Sequence, residues 1–427
     1  MHWKFDGIYN TRAKPIKRLS DTGYVMDLIL KNLEVDINLG LSRITKILTK
    51  WKNPQNNYKV ILIGGTNGKG SVTSYLASIL KEDGFKVGSF FSPHLKKYNE
   101  RIRINGEPIS DKKFSSYEKK VVEHAKKEKL TVFEAITAIA YKYFSDEKCD
   151  FAVMEIGLGG KQDATNVAEE AISVITNIDL DHTDRLGKTI DEIAQEKIGI
   201  MKKGTCITGA KGRGLEIIKE NAKKNKIELK VFNEDFYIHT KEYSSKHGVF
   251  EYVGYEFYDN LEVKLLGRHQ TKNASLAVMA AEEIGIPEKS IRKGLLKAEN
   301  AGRLEIKKQK PLIVIDAAHN PHGIGELIAN LHIFNYDKLI TVFGVMKDKK
   351  WDEMIQLLAP HTDMFICTQA KGERSAKALD LVKIAQLYTE SKSITDPKKA
   401  LKEAQKKAGK NDMILVCGSI YLLGELF

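Results

Sequence analysis

The stretch Gly64-Gly65-Thr66-Asn67-Gly68-Lys69-Gly70-Ser71 carries the residue types that hold a phosphate. Glycines let successive backbone N–H groups converge on one anion, while Lys69 adds a point charge and Ser71 a hydroxyl. An apolar run, Val60-Ile61-Leu62-Ile63, precedes the loop and reads as a buried strand. After the loop, Val72, Leu76, Ile79 and Leu80 recur at helical spacing. Strand, glycine turn and helix N-terminus in this order make a phosphate cradle, because the helix dipole adds to the charge of the lysine. The fit to the common P-loop spacing is imperfect, since Gly70 stands between Lys69 and Ser71.

Further polar residues stand where other apolar runs end. Ser92 follows KVGSFF, Glu155 closes DFAVME, and Asp179-Leu180-Asp181-His182 follows AISVITNI. In an open α/β sheet the strand ends form one crevice, so residues far apart in sequence are expected to meet there. A carboxylate at the C-terminal end of a buried parallel strand is where a phosphate-loop enzyme holds magnesium. Glycines after Glu155, in IGLGGKQDATN, let the chain turn close to a ligand.

The elements expected to position these groups follow from periodicity. Helices are expected over YVMDLILKNLEVD and LGLSRITKILTKW, over residues 111–127, over Thr131–Phe144 and over Thr189–Lys202. ERIRINGEPIS reads as a hairpin turning at Asn105-Gly106. A β-rich insert precedes a helix carrying HQTKNASLAVMAAEEIG. Strands return at LIVID, KLITVFG, MFICT and MILVCG with helices between, and no second phosphate loop accompanies them. The expected fold is α/β: a mostly parallel, P-loop-containing sheet in an N-terminal domain, residues 1–299, and a smaller Rossmann-like α/β domain, residues 300–427. With no Pro/Gly-rich linker between them, the two halves are expected to face one cleft that domain closure could shut.

Composition bounds the rest. A chain of 427 residues, 42% hydrophobic and 29% charged, is that of a globular protein of two or three domains. No apolar run is long enough for a membrane span, and the N-terminus lacks the apolar core of a signal peptide, so a cytoplasmic protein is expected. Net charge is +12, but the lysines lie on helix faces such as EKKVVEHAKKEK, alternate with Glu and lack interleaved aromatics. Solvated helix faces and a bias toward small polyanions are expected, not nucleic acid. The four cysteines, Cys149, Cys206, Cys367 and Cys417, form no CxxC pair and read as reduced and structural.

GGTNGKGS, SPHL with NERIRING, TVFEAITA, EIGLGGKQDATN, DHTDRLGKTIDEIAQEKIGI, GRHQTKNA, AGRLE, DAAHNPHG and CGSIYLLGE occur in this order. Together they resemble the folylpolyglutamate synthase/dihydrofolate synthase family of the Mur ligase superfamily, from about Leu39 to the C-terminus. The resemblance implies an ATP-dependent ligase, usually monomeric. It joins L-glutamate to a folate or dihydropteroate carboxylate through an acyl phosphate. It also implies roles for particular residues. Gly68, Lys69, Gly70 and Ser71 would hold the β- and γ-phosphates, and Ser92, Glu155 and His182 would hold magnesium. Lys197 would be carbamylated by carbon dioxide, bridging a second ion. Asn273 would lie on the adenine side, Arg303 would reach ATP phosphate from the second domain, and Asp316 would bind nucleotide. His319 would sit near the incoming glutamate. Thr131, Phe133, Glu134, Asp163 and Ala164 would line the pterin pocket.

Two departures from the family pattern stand out: Lys161 replaces a common Arg in GGRxDATN, and Ala317 a common Gly in DAAHNPHG. Rival readings are a Mur-type ligase on another substrate, a nucleotide-binding protein without ligase activity, and a Rossmann dehydrogenase. SPHL, TVFEAITA and DAAHNPHG count against the first. The last fails because the first loop carries Lys69 and lacks a matching acidic ribose contact.

Overall fold

The computed structural model describes residues 38–427. The expected helix YVMDLILKNLEVD and the basic N-terminus lie outside the described residues. The described residues form three sheets. The first comprises β1 (Lys59–Gly64), β2 (Val87–Phe90), β3 (Ile102–Ile104), β4 (Glu107–Pro108), β5 (Phe151–Glu155), β6 (Glu170–Ile175), β7 (Thr205–Thr208) and β8 (Leu229–Val231). Their order is β4-β3-β2-β5-β1-β6-β7-β8. From β2 through β5, β1, β6 and β7 to β8 all neighbours are parallel, and β3 runs antiparallel to both β2 and β4. That hairpin turns where expected, with Asn105 at φ 51° and Gly106 at φ 86°, the paired positive angles a two-residue hairpin requires.

β1 is the centre of this sheet, and its residue types show why. Val60 and Leu62 face one core, with the helix Val132–Asp146. Ile61 and Ile63 face the other, with the helices Lys69–Glu82, His269–Ile284 and Glu288–Lys297. A strand covered on both faces must be apolar throughout, because alternate side chains enter opposite cores. A small antiparallel sheet, β9 (Tyr237–Tyr243), β10 (Gly248–Val253) and β11 (Phe257–Val263), lays Phe250, Tyr252 and Leu261 into the second of these cores.

The third sheet comprises β12 (Glu305–Gln309), β13 (Leu312–Ile315), β14 (Leu339–Phe343), β15 (Met364–Cys367), β16 (Glu390–Ser393) and β17 (Met413–Cys417), in the order β12-β13-β17-β14-β15-β16. Only β12 is antiparallel to its neighbour. The four strands read from sequence are its interior. The two edges, EIKKQ and ESKS, escape a hydrophobic reading because their side chains face solvent and little apolar burial marks them.

The helix expected over Thr189–Lys202 ends at Lys197 and tightens into a 3₁₀ turn, Ile198–Ile200. Gly199 there packs against the Lys161 backbone, and its carbonyl accepts from Asn166 Nδ2 at 3.0 Å, which draws it out of the helical ladder. All four cysteines are free and buried. No helix of the described residues is long and apolar enough to cross a membrane.

Candidate active site

The phosphate-loop residues occupy the turn between β1 and the helix Lys69–Glu82. Gly65 sits at φ 129° and Gly68 at φ 85°, both in the region that favours glycine. Space demands glycine as well: a Cβ on Gly65 would lie 1.9 Å from Thr176 Oγ1, and one on Gly68 2.6 Å from Asn273 Oδ1. The loop is pinned from β6, since Asn177 Oδ1 accepts from the Thr66 N–H at 3.1 Å and the Asn67 N–H at 2.9 Å. Gly68 caps the helix without any side-chain oxygen, so the first N–H groups are left for an external acceptor. Lys69 folds back to donate to the carbonyls of Gly65 and Thr66, at 3.1 and 3.0 Å. Burial lowers its pKa, and Glu155 and Asp181 oppose that shift.

Glu155 ends β5 beside this loop, 4% exposed. Its Oε2 accepts from the Ser92 N–H at 2.9 Å, and Arg101 Nη1 donates to Ser92 Oγ at 3.4 Å. Burial raises the Glu155 pKa, opposed first by Lys69. A buried carboxylate beside two serine hydroxyls is a set of hard oxygen donors, which suits magnesium or manganese and not a thiolate- or imidazole-seeking metal. Among the described residues no group of three His, Cys, Asp or Glu side chains gathers at one point. A cation here would therefore take part of its coordination from phosphate or water. His182, at φ 50°, lines the same cleft, with Nε2 4.0 Å from Asp181 Oδ2.

Lys197 lies in the last helical turn before the 3₁₀ segment and is 4% exposed. Its Nζ donates to Gly65 O at 2.9 Å, placing it directly beneath the loop. Burial, then the nearby Lys69, pull its pKa down to about 7. A large fraction of this amine is therefore neutral near pH 7.

The opposite rim comes from the third sheet. Asp316 follows β13, and its carboxylate accepts from the Leu304 N–H at 2.8 Å and the Ala318 N–H at 2.7 Å. Those bonds hold Leu304 at φ 45° and so fix the turn that carries Arg303. His319 Nδ1 lies 3.0 Å from Ala317 O, and burial, then Lys349, push its pKa down to about 4, so it is neutral near pH 7. Ala317 is not among the residues at positive φ, so alanine in place of glycine brings no backbone strain there.

Four hydrogen bonds tie this rim to the first. Asn320 Nδ2 donates to Asp181 Oδ2 at 3.1 Å, and Lys349 Nζ to Asp181 Oδ1 at 3.4 Å. Asn67 Nδ2 meets His322 Nδ1 at 2.9 Å, and Asn300 Nδ2 donates to Ser71 Oγ at 3.2 Å. Burial would raise the Asp181 pKa, but His182 and Lys349 outweigh it and hold the carboxylate ionised.

The cleft between the rims holds about 330 Å³. Gly68, Lys69, Gly70, Ser71, Ser92, Glu155, His182, Lys197, Asn273, Arg303, Asp316 and His319 all line it. The residues expected at a pterin do not line that cavity. Thr131 caps the helix Val132–Asp146 in a reciprocal capping box with Glu134, which also pairs with Arg43 at 3.1 Å. Phe133 packs under Gly157, where a Cβ would meet its ring at 2.4 Å. Asp163 accepts from the N–H groups of Leu158 and Thr165 and from Thr165 Oγ1, and Ala164 is buried beside it. Phe133 and Asp163 brace the turn at residues 157–159 that lines the cleft.

Sequence reasoning passed over Asn177, Asp181, Asn320 and Lys349 as individual site residues. Asp181 and Asn320 stood inside motifs already singled out, DLDH and DAAHNPHG. Lys349, in a lysine-rich run, carried no signal of its own.

Family models match two segments: the Mur ligase middle domain at residues 63–281 and the Mur ligase, glutamate ligase domain at residues 302–420. The chain is 33% identical to the dihydrofolate synthase/folylpolyglutamate synthase of Bacillus subtilis, over 92% of this chain and 95% of that protein. Among solved structures, the folylpolyglutamate synthase of Thermotoga maritima superposes with a TM-score of 0.83 at 35% identity, covering 93% of this chain and 95% of that one. A bifunctional folylpolyglutamate synthase/dihydrofolate synthase with Mn, AMPPNP and L-glutamate bound gives a TM-score of 0.84 at 27% identity, covering 95% and 98%.

Proposed function

The chain belongs to the folylpolyglutamate synthase/dihydrofolate synthase family of Mur ligases, and from that premise we propose that it uses ATP and a divalent cation to join L-glutamate to the carboxylate of a folate, a dihydropteroate, or both. The observation that carries this reading is the cleft itself, where an uncapped phosphate loop, a buried oxygen-donor pair and a buried lysine face a second rim from the glutamate ligase domain.

A carboxylate resists attack by an amine because it is a poor electrophile with an oxyanion leaving group. Transfer of the γ-phosphoryl group to it makes an acyl phosphate, which the glutamate amine attacks with loss of phosphate. Phosphoryl transfer requires positioning and charge neutralisation more than covalent chemistry. The N–H groups following Gly68 and the Lys69 ammonium meet the β- and γ-phosphates. Lys69 is already oriented by the Gly65 and Thr66 carbonyls and exchanges one of them for phosphate oxygen. Ser92 and Glu155, with His182 beside them, would hold magnesium, which when bound neutralises phosphate charge and lines up the transferring group. Arg101 orients the Ser92 hydroxyl toward that point.

Lys197 is the carbamylation candidate. A neutral amine adds to carbon dioxide and releases a proton, turning a cation into an anion that could bridge a second cation. The buried position and the pKa near 7 support this reading. Asn273 closes the loop on the adenine side, Arg303 reaches phosphate across the cleft, and Asp316 positions Arg303 through the Leu304 turn. His319, neutral and lining the cleft, would take the proton that the attacking amine sheds. Thr131, Phe133, Glu134, Asp163 and Ala164 would lie on the pterin side, where Phe133 packs under Gly157 and Asp163 accepts from the Leu158 N–H. The domains divide near residue 299, between the last helix packed on the first sheet and the start of β12. Both rims come from one chain, which supports a monomer, and reduced, buried cysteines suit the cytoplasm.

The test is incorporation of radiolabelled L-glutamate with stoichiometric ADP release, using tetrahydrofolate and dihydropteroate as acceptors. ATP-dependent product with at least one acceptor is expected. Slow ATP hydrolysis indifferent to both acceptors would instead indicate a nucleotide-binding protein without ligase chemistry.

A further inference from the structure

A second, smaller cavity of about 50 Å³ opens beside the phosphate loop. It shares Gly70, Ser92, Glu155 and Arg303 with the main cleft and extends past them to Arg103 and Asn300. Its size admits a few heavy atoms and no ring. Two guanidinium groups, Arg103 and Arg303, line it together with the carboxylates of Glu100, Glu155 and Glu299. Arg103, half-buried on β3, is held by one bond, from Nε to Glu100 O at 3.0 Å, and by the Phe91 ring, whose centroid lies 5.2 Å from Cζ. Its two terminal nitrogens make no hydrogen bond and no ion pair with any described residue. Glu100, the nearest acid in sequence, is committed elsewhere: its carboxylate accepts from the N–H groups of Leu95, Lys96 and Lys97. Glu299 stands exposed at the mouth. Arg303 faces the same space and also pairs with no carboxylate of the described residues.

A guanidinium fork fixed at one nitrogen and partly desolvated, with Glu100, Glu299 and Glu107 acting on it only at a distance, leaves its terminal nitrogens open to an anion, and its geometry matches a carboxylate. The position narrows which carboxylate. The cavity touches the main cleft at Gly70 and Glu155, where the acceptor carboxylate must meet the γ-phosphate. An anion seated there must be attached to the acceptor within a few bonds of the activated group. An acceptor ending in glutamate has such an anion: when its γ-carboxylate is activated, its α-carboxylate lies three carbons away. A pteroate has none, because its single carboxylate sits on an aromatic ring. We infer that Arg103 forms a subsite for the α-carboxylate of the acceptor's terminal glutamate, beside the phosphate site that Arg303 serves, and that Arg103 thereby sets the preference between glutamate-ended acceptors and pteroates. The inference rests on the ligase reading above and deepens it.

The experiment compares three acceptors on the full-length enzyme: tetrahydrofolate, its analogue with 4-aminobutyrate in place of glutamate (no α-carboxylate), and dihydropteroate. The wild type is expected to favour tetrahydrofolate over the 4-aminobutyrate analogue by at least about tenfold in kcat/KM, the scale of a charged hydrogen bond. Arg103→Gln should collapse that ratio to within about twofold, through KM for tetrahydrofolate, and shift the balance toward dihydropteroate; Arg103→Lys should restore part of it. A wild type that does not distinguish the first two acceptors, or that accepts only dihydropteroate, overturns the inference without recourse to any variant. So does an Arg103→Gln enzyme with an unchanged ratio. An equal rise in KM for L-glutamate with every acceptor would assign the fork to the incoming amino acid and overturn it too. Failure of the ligase reading itself looks different: no ATP-dependent product from the wild type with any acceptor, which removes the inference with it.

Discussion

The two rims of the cleft are built on different principles. The first hangs its candidate site groups on deeply buried elements: Glu155 on the end of β5 between parallel neighbours, and Lys197 on a helix end tucked beneath the phosphate loop. Burial there changes ionisation, raising the Glu155 pKa and bringing Lys197 to about 7. The second rim presents turns, stiffened by side-chain bonds to backbone: Asp316 to Leu304 and Ala318, Asn320 to Gly323. It reaches the first through a handful of polar contacts centred on Asp181. The difference teaches a division of labour. One rim holds charge in a fixed, dry setting, and the other supplies alignment through contacts weak enough to open and close.

Breaking the charge-holding rim should have the largest effects. Lys69→Ala is expected to cut kcat by about 10²–10³-fold while leaving the thermal midpoint nearly unchanged. Steady-state ADP release and calorimetry would check it, and a loss below tenfold would mean that the Lys69 charge does not act in the chemical step. Lys197→Ala should cost about 10²-fold if the carbamate forms, with no gain from added bicarbonate. For the wild type, the neutral-amine fraction grows as pH rises through about 7. Ligation should climb over that interval and fall when carbon dioxide is purged. The linked stability has the same sign. Because the folded-state pKa lies below that of a free lysine, the unfolded chain holds the extra proton between about 7 and the ordinary lysine range, so stability increases with pH across that window. A flat pH–rate profile, insensitive to bicarbonate, would remove the carbamate.

The aligning rim should give smaller, differently shaped losses. Asp181→Asn keeps a partner for Asn320 but leaves the half-buried Lys349 without its anion. A drop of about tenfold or more in kcat/KM is expected, with small-angle scattering showing a more open average shape in nucleotide. Unaltered scattering together with unaltered kinetics would show that closure does not pass through Asp181. Smallest of all, Thr131→Ala removes a helix cap that lines neither rim of the cleft and should lower stability by about 1 kcal/mol in urea titration. Its kcat should follow the wild type, and a large kinetic defect would place Thr131 closer to substrate than its capping role suggests.

Much of this was legible along the chain because it is local. β1 reads as a two-sided strand since burial on both faces demands an unbroken apolar run, and the phosphate loop announces itself through glycines that must reach positive φ. The Asn105-Gly106 hairpin and the Thr131 capping box are likewise short-range chemistry. The edge strands β12 and β16 were not legible, because an exposed edge buries too little to leave a pattern.

What only the tertiary structure decided is which of the polar strand-end residues touch one another. The ordered motifs named candidate side chains, and most of them line one cleft. Lys349 against Asp181 depends on how the two sheets face each other, while the open fork of Arg103 and the burial that moves Lys197 toward neutrality depend on how distant segments of the first domain pack around one loop. Desolvation and charge pairing act through space, with no period or spacing along the chain, so a lysine destined for a surface and one destined to lose its proton are written with the same letter.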